Sequence, residues 1–263
     1  MLRKLIVAIC IAGSLTIGLK ARETSDVSAL LRKMTSPSWT VRRGAFEQSS
    51  RLFAAGNLAP DAADELREGI VNLLALENQR MPGANLNSEE HSEYYAELID
   101  YVSRLNDERA IPALLGASCT GGMAIRGAAR FGARALDPTL KEVLSGSSQR
   151  AHCAIYVLQK LLEVHTFKDR ASLERIRDAL GTSLHSPDHW VRQAAVWAVL
   201  FLDDREEFVP ILKDIAEHDP YKRRGQAENG TASDGYPVRK LAASVLHDIA
   251  EHTPPPVDKG VAK

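Results

Sequence analysis

The sequence predicts an all-α fold, a rod of stacked helix pairs, and three observations carry that reading. An arginine frame recurs five times: Val41-Arg42 with Ala45, Ile125-Arg126 with Ala129, Gln149-Arg150 with Cys153, Val191-Arg192 with Ala195, and Val238-Arg239 with Ala242. Around these arginines, apolar or small residues fall at offsets −1, +2, +3, +6, +7 and +10, the three-and-four spacing of one helical face. A second kind of helix start, with leucine two residues after proline, recurs at Ile111-Pro112-Ala113-Leu114, Asp137-Pro138-Thr139-Leu140 and Val209-Pro210-Ile211-Leu212. Proline is tolerated in the first turn of a helix and not deeper. Units that repeat at such intervals bury their apolar flanks against each other, giving a stack in place of a single closed core.

The first 21 residues stand apart. Met1-Leu2-Arg3-Lys4 is basic, Leu5 to Leu19 is apolar and uncharged, and Lys20-Ala21-Arg22 restores polarity. That is the plan of a secretory signal peptide, and the run is short for a membrane span of about 20 residues. Cleavage after Ala21 is expected, with an uncleaved N-terminal anchor as the alternative. Cys10 lies inside the apolar run and makes a poor lipid-attachment site. The full chain of 263 residues has a net charge of −1. Loss of Arg3, Lys4 and Lys20 leaves 30 basic residues against 34 acidic, a net −4. Such a chain has no field to draw in nucleic acid.

A lead-in helix is expected over 22–35, with Val27, Leu30, Leu31 and Met34 on one face. Ser36-Pro37 and Ser186-Pro187 each stand six residues before a frame arginine, and serine followed by proline is a strong helix start. The stripe reads Val191, Ala194, Ala195, Ala198, Val199, Leu202 in one unit and Val238, Leu241, Ala242, Val245, Leu246, Ile249 in the last. A third copy reads Ile125, Ala128, Ala129, Gly132, Ala133, Leu136. The units divide as 36–84, 85–118, 119–146, 147–185, 186–220 and a terminal 236–252, with Tyr94, Tyr95, Leu98, Ile99, Val102 and Leu105 forming the face of the second. Segments 77–89 and 219–235 read as loops, and the tail 253–263, with Pro254-Pro255-Pro256, is too polar and proline-rich to fold.

Units with Val-Arg-x-x-Ala on one helix and Pro-x-Leu opening the next resemble HEAT repeats, especially the short bacterial HEAT-like kind, over roughly residues 36–252. The resemblance implies an α-solenoid of about six helix pairs across 22–252. It also implies that Arg42, Arg126, Arg192 and Arg239, with Arg150 as a weaker member, form a ladder, bonding to backbone or to an aspartate of the neighbouring repeat. The aspartate usual in that family is poorly preserved: Ser36 and Ser186 stand near its place, and Asp188 and Asp234 are the substitutes.

Motifs that carry chemistry are missing from the sequence. Gly121-Gly122 and Ser145-Gly146-Ser147-Ser148 lack the Gly-Lys-Ser/Thr of a phosphate loop, and no Gly-x-Ser-x-Gly elbow, Cys-x-x-Cys or His-Glu-x-x-His occurs. His185, Asp188 and His189 read as capping residues more than as zinc ligands. Glu217-His218 and Glu251-His252 occupy last helical turns, where histidine suits the helix dipole. Some HEAT-repeat proteins are oxygenases that bind iron through His-Glu pairs, bilin-attaching enzymes or DNA glycosylases, but no catalytic residue of these can be matched here. No catalytic residue, metal or cofactor is therefore assigned. Cys119 and Cys153 are separated by a whole helix, so the expectation is two buried free thiols and no disulfide. Asn229-Gly230-Thr231 is a glycosylation sequon.

Trp39, Trp190 and Tyr236 fall two or three residues before a frame arginine and serve either as partner anchors or as staples on the previous unit. Trp197 lies at the edge of its stripe, and Lys222-Arg223-Arg224 forms a basic patch in a loop. The expectation is an exported, non-catalytic scaffold or adaptor, secreted or periplasmic, that binds a protein or peptide and no nucleic acid. A membrane enters only if the N-terminal segment is uncleaved, as in an envelope-tethered structural protein. An enzyme with a groove site of scattered residues is the other alternative.

Overall fold

A computed structural model describes residues 26–80, 89–226 and 232–252. The predicted signal segment, the centre of the 77–89 loop, Asn229 and the proline-rich tail lie outside the described residues. The chain divides into two compact units, one ending at Ala117 and one beginning at Ser118.

In the first unit the helices are α1 (26–34), α2 (Trp39–Ala55), α3 (Pro60–Arg80), α4 (Glu89–Arg104) and α5 (Ile111–Ala117). The helices alternate between two layers: α2 packs on α4, α3 on α5, and each on its partner in sequence. The core is the apolar stripe of α3 (Leu66, Ile70, Leu73, Leu74) against Tyr94, Leu98 and Val102 of α4, all essentially without solvent exposure. The lead-in helix buries Val27, Leu30 and Met34 as its pattern requires. It lies close on α3 because position 69 is glycine, where a Cβ would collide with Leu31.

In the second unit a 3-10 turn (Ser118–Thr120) leads into α6 (Gly122–Ala129), α7 (Leu136–Ser145), α8 (Ser148–Val164), α9 (Arg170–Leu184), α10 (His189–Ala198), α11 (Val209–His218) and α12 (Pro237–His252). The first helices pack in succession, α6 on α8, α8 on α10 and α10 on α12, while α7 packs on α9. The Ser36-Pro37 and Ser186-Pro187 starts are corrected, since α2 and α10 begin at Trp39 and His189 with Ser38 and Asp188 at the N-cap, while the proline-started helices begin as read. Ser147, Asp169 and Asp188 cap α8, α9 and α10 by accepting from backbone N–H groups, and Pro112, Pro138 and Pro210 all lie within the first three residues of their helices.

The Val191 and Val238 stripes face inward, although Leu241 and Leu246 are half-buried. The third stripe is corrected. The helix expected from Ile125 to Leu136 stops at Ala129, and a separate 3-10 turn covers Gly132–Ala135. Gly132 has φ 57°, a left-handed conformation that ends a helix and favours glycine. Ala133, on the expected stripe, is exposed as a result.

Two further expectations are overturned. The loop 219–235 contains a two-stranded antiparallel hairpin, β1 (Arg223–Gln226) with β2 (Ala232–Gly235), in the register Arg223 to Gly235. The cysteines are joined by a disulfide between Cys119 and Cys153, with Cα atoms 5.1 Å apart. The sequence argument treated the intervening residues as a spacer. They form an out-and-back pair, α6 and α7, which returns the chain beside its own start. The bond therefore joins the turn before α6 to the second turn of α8, 34 residues further along the chain.

Candidate functional site

Two of the five frame arginines build the same clamp. Arg42 is 2% exposed; its Nε donates to Glu77 Oε1 at 2.5 Å and its Nη2 to Oε2 at 3.1 Å. Nη1 donates to the carbonyls of Ser36 at 2.7 Å and Pro37 at 2.9 Å. Arg192 repeats this with Asp219 Oδ2 at 2.6 Å, Oδ1 at 3.1 Å, and the carbonyls of Ser186 at 2.7 Å and Pro187 at 2.9 Å. A planar five-donor guanidinium can hold a carboxylate two-pronged while filling two carbonyls. That is why serine-proline stands six residues ahead of arginine in both units.

The acids differ from those the sequence offered. Asp188 caps α10, accepting from Trp190 N at 2.8 Å, and Asp234 belongs to β2. The clamp acids Glu77 and Asp219 come from the end of the second helix in each pair and are 0% and 4% exposed. Their signal was a carboxylate on the apolar stripe itself, after Ile70, Leu73 and Leu74 in one case and after Leu212 and Ile215 in the other. Of the remaining arginines, Arg239 makes the expected bond to neighbouring backbone, whereas Arg126 and Arg150 depart from the ladder. Arg239 donates to the backbone carbonyl of Asp219 at 2.7 Å and lies 4.1 Å over the Tyr236 ring. Arg126 is exposed, and Arg150 is exposed and paired with Glu142 at 2.8 Å.

Around Glu77 the first clamp is a buried polar network. Tyr94 donates its hydroxyl to Glu77 Oε1 at 3.1 Å, and His91 Nε2 lies 3.6 Å from Oε2. Burial, then the neighbouring Glu77 charge, holds the Tyr94 phenol well above the ordinary tyrosine range. Trp39 stacks on His91 at 5.1 Å and closes the network.

Ring positions now separate by their offset from arginine. Three residues ahead stand Trp39, His189 and Tyr236, and all three are stacked: Trp39 on His91, His189 on Tyr221 at 3.5 Å, Tyr236 under Arg239. These are staples. Two residues ahead, one helical step of about 100° away, stand exposed Thr40 and Trp190, the latter 50% exposed. Trp190 is thus the ring of the predicted set that faces outward. Trp197 is also exposed, as are Lys222 just before the hairpin and Arg223 within it, and Arg224 is placed in β1 by its backbone.

Trp190 belongs to a continuous ring ladder: Tyr156, His152, Trp190, His189, Tyr221, with successive centroids 4.9, 5.8, 4.9 and 3.5 Å apart. Tyr156 and His152 stand on α8, His189 and Trp190 at the start of α10, and Tyr221 just after α11. Between the starts of α8 and α10 lies a groove of about 360 Å³ lined by Ser148, Gln149, His152, Asp188 and Trp190. Burial lowers the His152 pKa, opposed by Asp188 and assisted by His189, so the imidazole favours its neutral form. Burial likewise raises the Tyr156 phenol. The groove therefore presents two rings, the polar side chains of Ser148 and Gln149, and one carboxylate, Asp188, which caps α10. His152 and Tyr156 were missed because neither stands near a frame arginine at the aromatic offset.

A wider groove of about 460 Å³ between α2 and α4 in the first unit holds Glu47, Glu97 and Asp100. Glu47 is paired with Arg43 and Arg51, and Asp100 with Arg104, all partly exposed. Among the described residues no cluster of three or more histidine, cysteine, aspartate or glutamate side chains is placed to hold a metal ion. No helix there is long and apolar enough to cross a membrane. Compared with known proteins, the chain matches no family model and no curated protein.

Proposed function

We propose that the chain is an exported α-solenoid of HEAT-like helix pairs that works as a non-catalytic binding scaffold, and that the Trp190 groove is where it holds a protein or peptide partner. The observation that carries this reading is the outward Trp190 ring within a ladder of rings whose neighbours are stapled. A large ring kept half in water on a stiff support binds with little further loss of freedom. A shallow aromatic groove with few charges favours an extended, proline-containing or apolar peptide segment, which offers flat faces to the rings and free carbonyls to Gln149 and His152.

Support for the solenoid comes from the repeated clamp and from first helices packing on first helices. Support for export comes from the plan of residues 1–21 and from the Cys119–Cys153 bond, since disulfides persist in oxidising compartments. A mature N-terminus at Arg22, read by mass spectrometry, is the expected result for a cleaved signal; retention of residues 1–21 would make the chain tethered instead.

The docking test is a peptide-display selection against the mature protein, with selected peptides measured again on Trp190→Ala. Affinity should fall at least about tenfold, or roughly 1.4 kcal/mol, while the melting temperature stays close to that of the parent. Peptides that bind both proteins equally would remove Trp190 from the site.

A further inference from the structure

The helix pair 119–146 has the arginine of the frame but not its clamp: Arg126 is exposed, and α7 presents Thr139, Leu140 and Val143 inward, with no carboxylate among them. It is also the thinnest pair. Its first helix, Gly122–Ala129, has 8 residues, and residues 119–123 leading into it are all exposed. The disulfide sits at this place. Cys119 lies in the entry turn, and Cys153 in the second turn of α8, 6% exposed. In the first two turns of α8, Gln149 and His152 line the Trp190 groove, and the Cys119 sulfur lies 3.5 Å from the Gln149 carbonyl oxygen.

We propose that Cys119 and Cys153 form a thiol–disulfide modification site whose oxidised state replaces the missing arginine clamp and holds the α8 wall of the Trp190 groove. The regulatory half of this inference rests on the docking reading given above. The chemistry is dithiol–disulfide exchange. The two thiols lose two protons and two electrons, one S–S bond forms, and the disulfide of an oxidising protein partner is reduced to two thiols. In a reducing compartment no covalent bond joins the entry turn to the first turns of α8, and the exposed Arg150–Glu142 pair ties α8 to α7. After export they become one covalent piece. The groove is then completed by the compartment in which the protein arrives.

The test uses the full chain recovered from an oxidising and from a reducing compartment. Alkylation with a maleimide polymer under denaturing conditions should label neither cysteine of the pair in the first sample and both in the second. Hydrogen exchange is then compared between oxidised protein, reduced protein and the Cys119→Ser/Cys153→Ser variant. Exchange over 119–123 and 148–153 should quicken by about tenfold or more on loss of the bond, with 26–80 and α12 unchanged. Two free thiols after oxidative export would overturn the inference. So would unchanged exchange at 148–153, or an equal rise throughout the second unit, which marks a general structural role only. Exchange needs no ligand, so this test can fail while peptides still bind through Trp190, and it can succeed while no peptide binds.

Discussion

The helix pairs 36–84 and 119–146 start from the same arginine frame and solve the closure of their entrance differently. In the first, the arginine is withdrawn from water into a carboxylate and two backbone carbonyls, and α2 and α3 run for 17 and 21 residues. In the second, the arginine stays in water, the helices have 8 and 10 residues, and a covalent bond to the next pair does the fastening. The difference follows from the acid. A buried guanidinium without a carboxylate costs several kcal/mol, so the frame arginine turns inward only where the second helix ends with an acid on its core stripe. Where that acid is missing, the arginine becomes a surface residue and another device is needed.

The sharpest way to break this comparison is to remove the arginine in both settings. Arg192→Ala leaves Asp219 buried and unpaired and strips the donors from the carbonyls of Ser186 and Pro187, with an expected loss of about 3–5 kcal/mol. Arg126→Ala should stay within about 0.5 kcal/mol of the parent. Urea denaturation of the two variants checks this. Equal losses would mean that the clamp contributes nothing beyond its place in the frame.

Next in size is the bond itself. Closing a loop of about 35 residues restricts the unfolded chain by about 3–4 kcal/mol in the entropy model. Cys119→Ser/Cys153→Ser should lower the denaturation midpoint accordingly, and a reductant should do the same to the parent but not to the variant. A reductant effect that persists in the variant would assign the loss to something other than this pair.

A smaller effect separates the stripes. Ala195 is 0% exposed between packed helices, so Ala195→Leu should overpack the contact at about 1–3 kcal/mol. Ala133 occupies the same offset-derived stripe in the short pair but is exposed, and Ala133→Leu should be close to neutral. A thermal melt in which both behave alike would show that the break at Gly132 does not matter to the packing.

These contrasts also mark what the sequence could reveal. Helix pairs, their boundaries and the inward stripes of α10 and α12 were legible because local periodicity dictates them. Arg42 and Arg192 were legible because serine and proline stand at a fixed distance ahead. Glu77 and Asp219 were readable in principle, as carboxylates on apolar stripes, but the search for an aspartate near the arginine looked in the wrong helix. The disulfide was hidden by treating the intervening helix as a spacer, when α6 and α7 together run out and back and return the chain to its start. The Trp190 ladder was half visible: its tryptophan follows from the frame, whereas His152 arrives from the preceding helix pair and Tyr221 from the segment after α11, each brought in by ring stacking.

The mildest expected effect concerns His152, whose ring joins Tyr156 to Trp190. Partial burial lowers its pKa in the folded chain, while in the unfolded chain it returns to about 6.5. Below that value the unfolded chain therefore binds more protons at this position than the folded one. Its linkage leaves stability intact above about pH 6.5 and erodes it as the pH falls through that value. His152→Gln keeps a hydrogen-bonding side chain but cannot titrate. The melting temperature of the variant relative to the parent should stay level from pH 8 to about pH 6.5 and rise from there to pH 5. Parallel curves over that range would mean that the ring takes up its proton as readily in the folded groove as in the unfolded chain, and the groove would then be wetter than its ring ladder implies.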